Sequence, residues 1–391
     1  MSNLKVGIFG VGRGMDIAKN LMLNGATIHA VCDFRKERLE QAKDKIEKDT
    51  LIFEDFDAFL DSGVEAVVVA NYFHEHAPYA IKCLQRGIHV LSECISNGTM
   101  ADGVALIRAA EKSDAIYMLA ENYPHMRFNR EIKRICDSGT LGTIHYAEGE
   151  YNHPLAPSDI PWFNEHFRYF PEHWRYYLPA TYYVTHSLAP IMAATGATPE
   201  KVIGLTINQQ LPDSDKKKDI TAVMMTQNND GSVFKFLGCA TFGGHGNAYR
   251  VCGSNGQIEN IRGMNEEVML RYNNWCIPEG EEEVRHYTPS WNDKDEDFIV
   301  QSGHGGGDYL CARLFMDCVR ERKQPPFPYD VKSAVTMSSV AILAHRSVLA
   351  GGTPMDLPNY DHEADRAQYE NDRATPFYGA DGSEPNIPFT R

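Results

Sequence analysis

Three groups of residues in this chain combine types and spacing that suit chemistry. The first is Gly10-Val11-Gly12-Arg13-Gly14, which follows an apolar run at 5–9 and precedes an amphipathic one. Glycines between a strand and a helix allow a tight turn and let backbone N–H groups approach a pyrophosphate at the helix N-terminus. The usual pattern has a further glycine at the next position, where Met15 stands, so Gly14 is left to keep the close approach and helix-to-strand packing is expected to differ. Asp33 ends the second apolar run, about 20 residues on, where a carboxylate binds the adenosine ribose hydroxyls. Glycines and acid together imply a dinucleotide, and the acid selects NAD. Arg35 and Lys36 beside it are suited to a 2'-phosphate and weaken that selection.

The second group is His89-Val90-Leu91-Ser92-Glu93-Cys94 together with Asn71 and Phe73 to His76, and the third is Glu121-Asn122, Tyr151-Asn152-His153 and Tyr183-Val184-Thr185-His186. Imidazoles move protons near neutral pH, and a phenol does so when its pKa is lowered or it is coupled to a partner. A single His or Tyr in an aromatic stretch is more often a packed side chain than a catalyst. These gain weight because several fall at strand ends expected to face one cofactor. Nothing near Cys94 in sequence activates its thiol, so packing against the nicotinamide is expected rather than nucleophilic attack. Histidines 153, 186 and 304 with Asp308 are an alternative metal set, but their spacing is not that of a recognised zinc motif and no metal is expected.

The elements that must position these groups follow from periodicity. Short apolar runs at 5–9, 27–32, 66–70, 89–92 and 116–119 alternate with amphipathic stretches at 15–23, 36–47, 77–85 and 101–112, the pattern of βαβ units around a parallel sheet. After a helix at 127–138 the texture changes to successive strand-like runs at 144–153, 202–210, 222–228, 232–241, 249–253 and 257–261, with hairpin signals at Asp230-Gly231 and Asn255-Gly256. The fold class expected is an α/β Rossmann domain at 1–122, and an α+β domain at 123–391 with a large, mainly antiparallel sheet. Helices are expected from about 308 and over 330–349. The polar tail from 358 is expected to lie over the surface or reach another subunit, and the open sheet to support a homo-oligomer. The stretch 151–186, rich in aromatics, His and Pro, reads as a substrate loop.

Composition narrows the partners. The chain has 391 residues and a net charge of -15, so nucleic acid and anionic membrane surfaces are repelled. The start, MSNLKVGIFG, enters a buried strand without an export signal, and no apolar run approaches the ~20 residues of a membrane span. A cytoplasmic protein is expected, with its nine cysteines reduced.

With these motifs placed, the amino-terminal half resembles the Gfo/Idh/MocA oxidoreductase family. In most members the strand at Glu93 continues Glu-Lys-Pro and the Lys assists catalysis; here Cys94 and Ile95 stand there. The family's usual Asp, four residues before the last His, is replaced by Tyr182. Tyr-x-Thr-His resembles instead the NAD-dependent glycoside hydrolases typified by family 109, which also lack the Lys. Trp174-Arg175 and His304-Gly305-Gly306-Gly307-Asp308 resemble further elements of that subgroup.

The resemblance implies a carbohydrate or glycoside substrate and a transient oxidation at sugar carbon 3, then elimination, water addition and re-reduction. It implies catalytic roles for His186, Tyr151, Tyr183 and His153, and substrate contacts from Glu121, Arg175 and Thr185. Cofactor contacts are implied for Gly10, Gly12, Arg13, Gly14, Asp33, Arg35, Asn71, Phe73, His76, Glu93, Cys94 and Asn122. The alternatives are an NAD-dependent sugar or polyol dehydrogenase and a non-enzymatic NAD-binding sensor.

Overall fold

A computed structural model describes residues 3–154, 178–210, 217–263, 266–379 and 381–391. The chain divides into two units, one made of residues 1–125, 293–335 and 367–373, the other of 126–292, 336–366 and 374–391.

The first unit contains strands β1 (Leu4–Phe9), β2 (Ala26–Cys32), β3 (Leu51–Phe53), β4 (Ala66–Val69), β5 (His89–Ser92) and β6 (Tyr117–Leu119). They form a parallel sheet in the order β3-β2-β1-β4-β5-β6, the doubly wound arrangement. Between them lie helices α1 (Arg13–Leu23), α2 (Lys36–Ala42), α3 (Phe56–Leu60), α4 (His76–Gln85) and α5 (Met100–Glu111). All four residues of β4 are fully buried, which explains its unbroken Ala-Val-Val-Val run: a central parallel strand is covered on both faces. The helix expected over 36–47 stops at Ala42 and continues only as a 3-10 turn at 43–45. β3 and α3 are too short to register as periodicity.

The second unit begins with α6 (Arg127–Asp137) and β7 (Ile144–Asn152), followed by α7 (Thr185–Thr195). Strands β8 (Pro199–Gln210), β9 (Lys217–Asn228), β10 (Val233–Leu237), β11 (Gly246–Gly253), β12 (Gly256–Asn260), β13 (Val268–Tyr272) and β14 (Val284–Tyr287) come next. With β15 (Met355–Asp356) they form a nine-stranded sheet, β14-β13-β12-β11-β7-β10-β9-β8-β15. Only the β7–β10 pairing is parallel, with the other neighbours antiparallel. One face packs on α6 and α7. Gly149 of β7 makes this possible, because a Cβ there would strike the Ser187 carbonyl of α7. On the opposite face Leu205, Ile207, Val223 and Met225 stand exposed. The run expected as a strand over 232–241 ends at Leu237.

The remaining helices are α8 (Glu296–Gln301), α9 (Gly307–Glu321), α10 (Val331–Leu349) and α11 (Glu363–Tyr369). The chain does not divide at a single break at 122/123, because 293–335 returns to the first unit. There Cys311, Ala312, Phe315 and Met316 of α9 join the core that holds Val6, Ile8, Ala18 and Leu21. Apolar spacing identifies α9 as amphipathic but carries no information about which sheet it covers. The tail lies largely at the surface, as expected, and is anchored inward at two points: Phe377 is buried, its ring centroid 4.9 Å from that of Tyr182, and the Pro388 carbonyl lies 2.7 Å from Nε2 of His345.

Candidate functional site

In the first unit the glycine turn is a cradle that side chains would fill. Gly10 has φ +90°, and a Cβ on it would collide with the Ala70 carbonyl. Gly12 caps α1 without a side-chain hydrogen bond. A Cβ on Gly14 would stand 2.6 Å from Cγ2 of Ile8, so Gly14 carries the helix-to-strand contact usually made by the third glycine, and Met15 is buried beside it in the core.

Asp33 accepts hydrogen bonds from the backbone N–H of Val11 at 3.1 Å and of Arg35 at 3.0 Å. Burial raises its pKa, while those two amides and the charges of Arg38 and Arg35 oppose the rise. Lys36 turns to Glu54 at 3.4 Å, whereas the Arg38 guanidinium lies against Gly12. Arg38, not named from sequence, is therefore the cation that covers the glycine turn.

Polar atoms around the cradle are left over for a ligand. Nη1 of Arg35 and Oδ1 of Asn122 are buried without a hydrogen-bond partner. Their positions at the carboxyl ends of β2 and β6 fit a dinucleotide, which binds outside that edge of such a sheet. Leftover buried groups of this kind cost about 1–3 kcal/mol each unless a ligand satisfies them.

Arg13 is held by two carboxylates, with Nε 2.9 Å from Glu93 and Nη2 2.7 Å from Asp308. Burial works against its charge, but Glu93 and Asp308 raise its pKa above the ordinary value. Asp308 also accepts from Nδ2 of Asn122 at 2.7 Å and meets Nδ1 of His304 at 2.9 Å. Although burial opposes ionisation, His304 and Arg13 hold Asp308 well below the usual carboxylate range. The His304-Gly-Gly turn, with φ of +53°, +57° and +91° at residues 304 to 306, leads into α9 and presents Asp308 in its first turn.

Behind this lattice, Cys94 Sγ donates to Glu121 at 3.1 Å, and Glu121 accepts from the Tyr123 N–H at 3.2 Å. Glu121, expected as a substrate contact, is fully buried, which suits a residue that orients its neighbours. His76 is buried as well, with Nδ1 2.7 Å from the Ile95 carbonyl and Nε2 3.4 Å from that of Asn71, and burial lowers its pKa. Phe73 is 5% exposed. Glu75, missed in the sequence because a lone Glu before a helix reads as solvated, is buried; this pushes its pKa up to about 7, moderated by the Asn71 amide.

The second unit gathers the aromatic and imidazole residues. Tyr151 near the end of β7 stacks on Tyr183 at 5.6 Å and meets the edge of His186 at 4.9 Å. Tyr183 and His186 are 5.3 Å apart at 89°, and His153 lies 5.8 Å from Tyr151. The backbone fixes this wall: Ala240 N–H donates to the Tyr151 carbonyl and Cys239 N–H to that of Tyr183, while the Tyr249 hydroxyl donates to the His186 carbonyl at 2.6 Å. Thr185 opens α7 and is buried. Tyr182, standing where the family's Asp is expected, points away into a core contact with Phe377 and His345. His245, which nothing in the sequence flagged, packs edge-on against His153 at 5.1 Å. Arg175 and Trp174 lie outside the described residues. Among the described residues no group of three or more His, Cys, Asp or Glu side chains is gathered as a metal set, and no helix is long and apolar enough to cross a membrane.

Comparison with known proteins gives these two halves a context. Residues 4–121 match the family model described as the oxidoreductase family, NAD-binding Rossmann fold, and residues 213–366 match the glycosyl hydrolase 109 C-terminal domain. A glycosyl hydrolase family 109 protein of Streptomyces filamentosus is 24% identical over 424 residues, covering 98% of this chain and 81% of that protein. A myo-inositol 2-dehydrogenase of Thermotoga maritima is 28% identical over 156 residues, 39% of this chain and 47% of that one. Among solved structures, levoglucosan dehydrogenase in complex with NADH and levoglucosan superimposes with a TM-score of 0.75 at 16% identity, over 91% of this chain and 99% of that one. The chain thus has an NAD-binding Rossmann domain of the Gfo/Idh/MocA type, joined to a family-109-like C-terminal domain.

Proposed function

We propose that this protein is a glycoside hydrolase that keeps NAD as a recycled catalytic group. The observation that carries the reading is the Tyr151–Tyr183–His186 wall, in a chain whose C-terminal domain matches family 109 and whose usual catalytic Lys position is Cys94. Gly10, Gly12, Gly14, Asp33, Arg35 and Asn122 would hold the dinucleotide, with Arg13 braced beside it by Glu93 and Asp308. When bound, NAD supplies a reversible hydride acceptor for carbon 3 of the sugar.

His186 takes the proton of the carbon-3 hydroxyl as that carbon becomes a ketone. The ketone acidifies the hydrogen on carbon 2, and the Tyr151 oxygen removes it. The electron pair forms the carbon 1–carbon 2 double bond as the carbon 1–oxygen bond breaks, and the departing oxygen takes a proton from water. Water then adds its hydroxide at carbon 1 and gives up a proton to solvent, Tyr151, its proton exchanged with solvent, protonates carbon 2, and His186 returns its proton to the carbon-3 oxygen as the ketone is reduced. Tyr183 and His153 flank the two proton carriers. Groups of modest basicity suffice because the hydroxyl proton leaves together with the hydride and the carbon-2 proton is acidified by the ketone, and a well-placed acid or base contributes about 10²–10⁴-fold.

A second reading, an NAD-dependent sugar or polyol dehydrogenase, is favoured by the likeness to levoglucosan dehydrogenase and myo-inositol 2-dehydrogenase. Purified protein given aryl glycosides decides between the two. Phenol released with no net NADH supports hydrolysis, and NADH accumulating in step with substrate overturns it in favour of the dehydrogenase.

A further inference from the structure

The second unit carries an exposed rim beside its catalytic wall. At the end of β7, Asn152 bridges Ala240 on one side and pairs with Gly246 of β11 on the other. The His153 N–H also donates to the Ala240 carbonyl at 2.8 Å. The chain from Thr241 to His245 must therefore arch over the end of the strand that carries Tyr151 and His153.

This arch is built of small and aromatic residues. Its Phe242 ring is 44% exposed, and His245, also exposed, meets His153 edge-on at 5.1 Å. A Cβ placed on Gly243, Gly244 or Gly246 would meet nothing within 4 Å, so the space along the arch is open. Tyr151 below it is only 5% exposed. Tyr151 is thus recessed, and the arch stands at its rim, joined to it through His153.

We infer that residues 242–246 form the subsite for the leaving group, and that this subsite takes a ring-bearing aglycone, either a second sugar or an aryl group. The inference rests on the hydrolytic reading above. Exposed aromatic rings such as those of Phe242 and His245 stack on the C–H face of a pyranose or on an aryl ring, contacts that contribute beyond simple burial. A methyl aglycone has no ring to stack on them.

The test compares kcat/KM for a methyl glycoside, an aryl glycoside and a disaccharide that share the same reacting sugar, in the wild-type holoenzyme and in Phe242→Ala and His245→Ala. The expected result is a fall of about five- to tenfold for the ring-bearing substrates, with the methyl glycoside within about twofold of wild type and the melting temperature unchanged. A loss confined to the disaccharide or to the aryl glycoside supports the subsite and identifies which ring it reads. An equal loss for all three substrates, or for none, overturns it. Wild-type protein that accumulates NADH without cleaving any glycoside overturns the hydrolytic reading and, with no leaving group to bind, this subsite too.

Discussion

The two clusters of candidate residues, one in each unit, are organised by opposite physics. In the first unit, charges fix one another: Arg13 lies between Glu93 and Asp308, and Asp308 between Arg13, His304 and Asn122. In the second unit, rings fix one another, with Tyr151, Tyr183 and His186 at stacked and edge-on contacts and their backbones tied to 239 and 240. A dinucleotide brings its own charge, so its cradle needs prearranged charges and amides. A sugar brings hydroxyls and C–H faces, for which aromatic walls with a few proton carriers are suited. Substitutions should therefore separate the halves, those in the lattice changing cofactor affinity and stability, and those in the wall changing turnover.

The largest effect belongs to the wall. Tyr151→Phe and His186→Ala should each lower kcat by about 10²–10⁴-fold while leaving NAD affinity within about twofold, measured by steady-state kinetics and cofactor titration. Wall variants that retained turnover would erase the distinction between the halves. Gly10→Val comes next. A side chain at φ +90° against the Ala70 carbonyl should weaken NAD binding by on the order of 100-fold, read by titration calorimetry, with kcat at saturating NAD largely kept.

Glu75 extends the comparison within the first unit, because it is a buried carboxyl whose pKa is set mainly by burial, with His74 Nε2 3.8 Å away. Its pKa, raised by burial from 4.5 to about 7, means that the folded state holds a proton the unfolded state has lost, so stability falls as pH rises from about 4.5 to about 7. Glu75→Gln should be more stable than wild type at pH 8, by at most ~3 kcal/mol, and equal to it at pH 4, in denaturant titrations.

Asp308 has the opposite sign. With its pKa depressed, it contributes stability above the ordinary carboxylate value that is lost as pH falls through the folded one. Asp308→Asn should lower the melting temperature at pH 7, and the difference from wild type should shrink toward pH 3. A constant difference across that range would mean that packing, not charge, sets the role of Asp308.

The same contrast separates what the sequence alone reveals from what only the folded chain does. The glycine turn and Asp33 are contiguous with the strands they end, so spacing alone located them. Gly14 was harder: that it replaces the third glycine in packing depends on where Ile8 points. Arg38 was missed because Arg35 and Lys36 stand closer to Asp33 in sequence, while one turn of α2 carries Arg38 back over Gly12. His245 lies far along the chain from Tyr151, and only the pairing of β11 with β7 brings it to His153. The membership of 293–335 in the first unit was invisible for a related reason. Periodicity shows that α9 has an apolar face, and the choice of sheet is made by the complementary core of α1 and β1.

In the hydrolytic reading, hydride transfer at carbon 3 is transient and serves to acidify carbon 2. Cleavage of a glycoside in deuterium oxide, followed by NMR of the released sugar, tests it most directly. The expected result is solvent deuterium at carbon 2 of the product with no net NADH formed. Product carrying protium at carbon 2, or one NADH formed per sugar consumed, would contradict it.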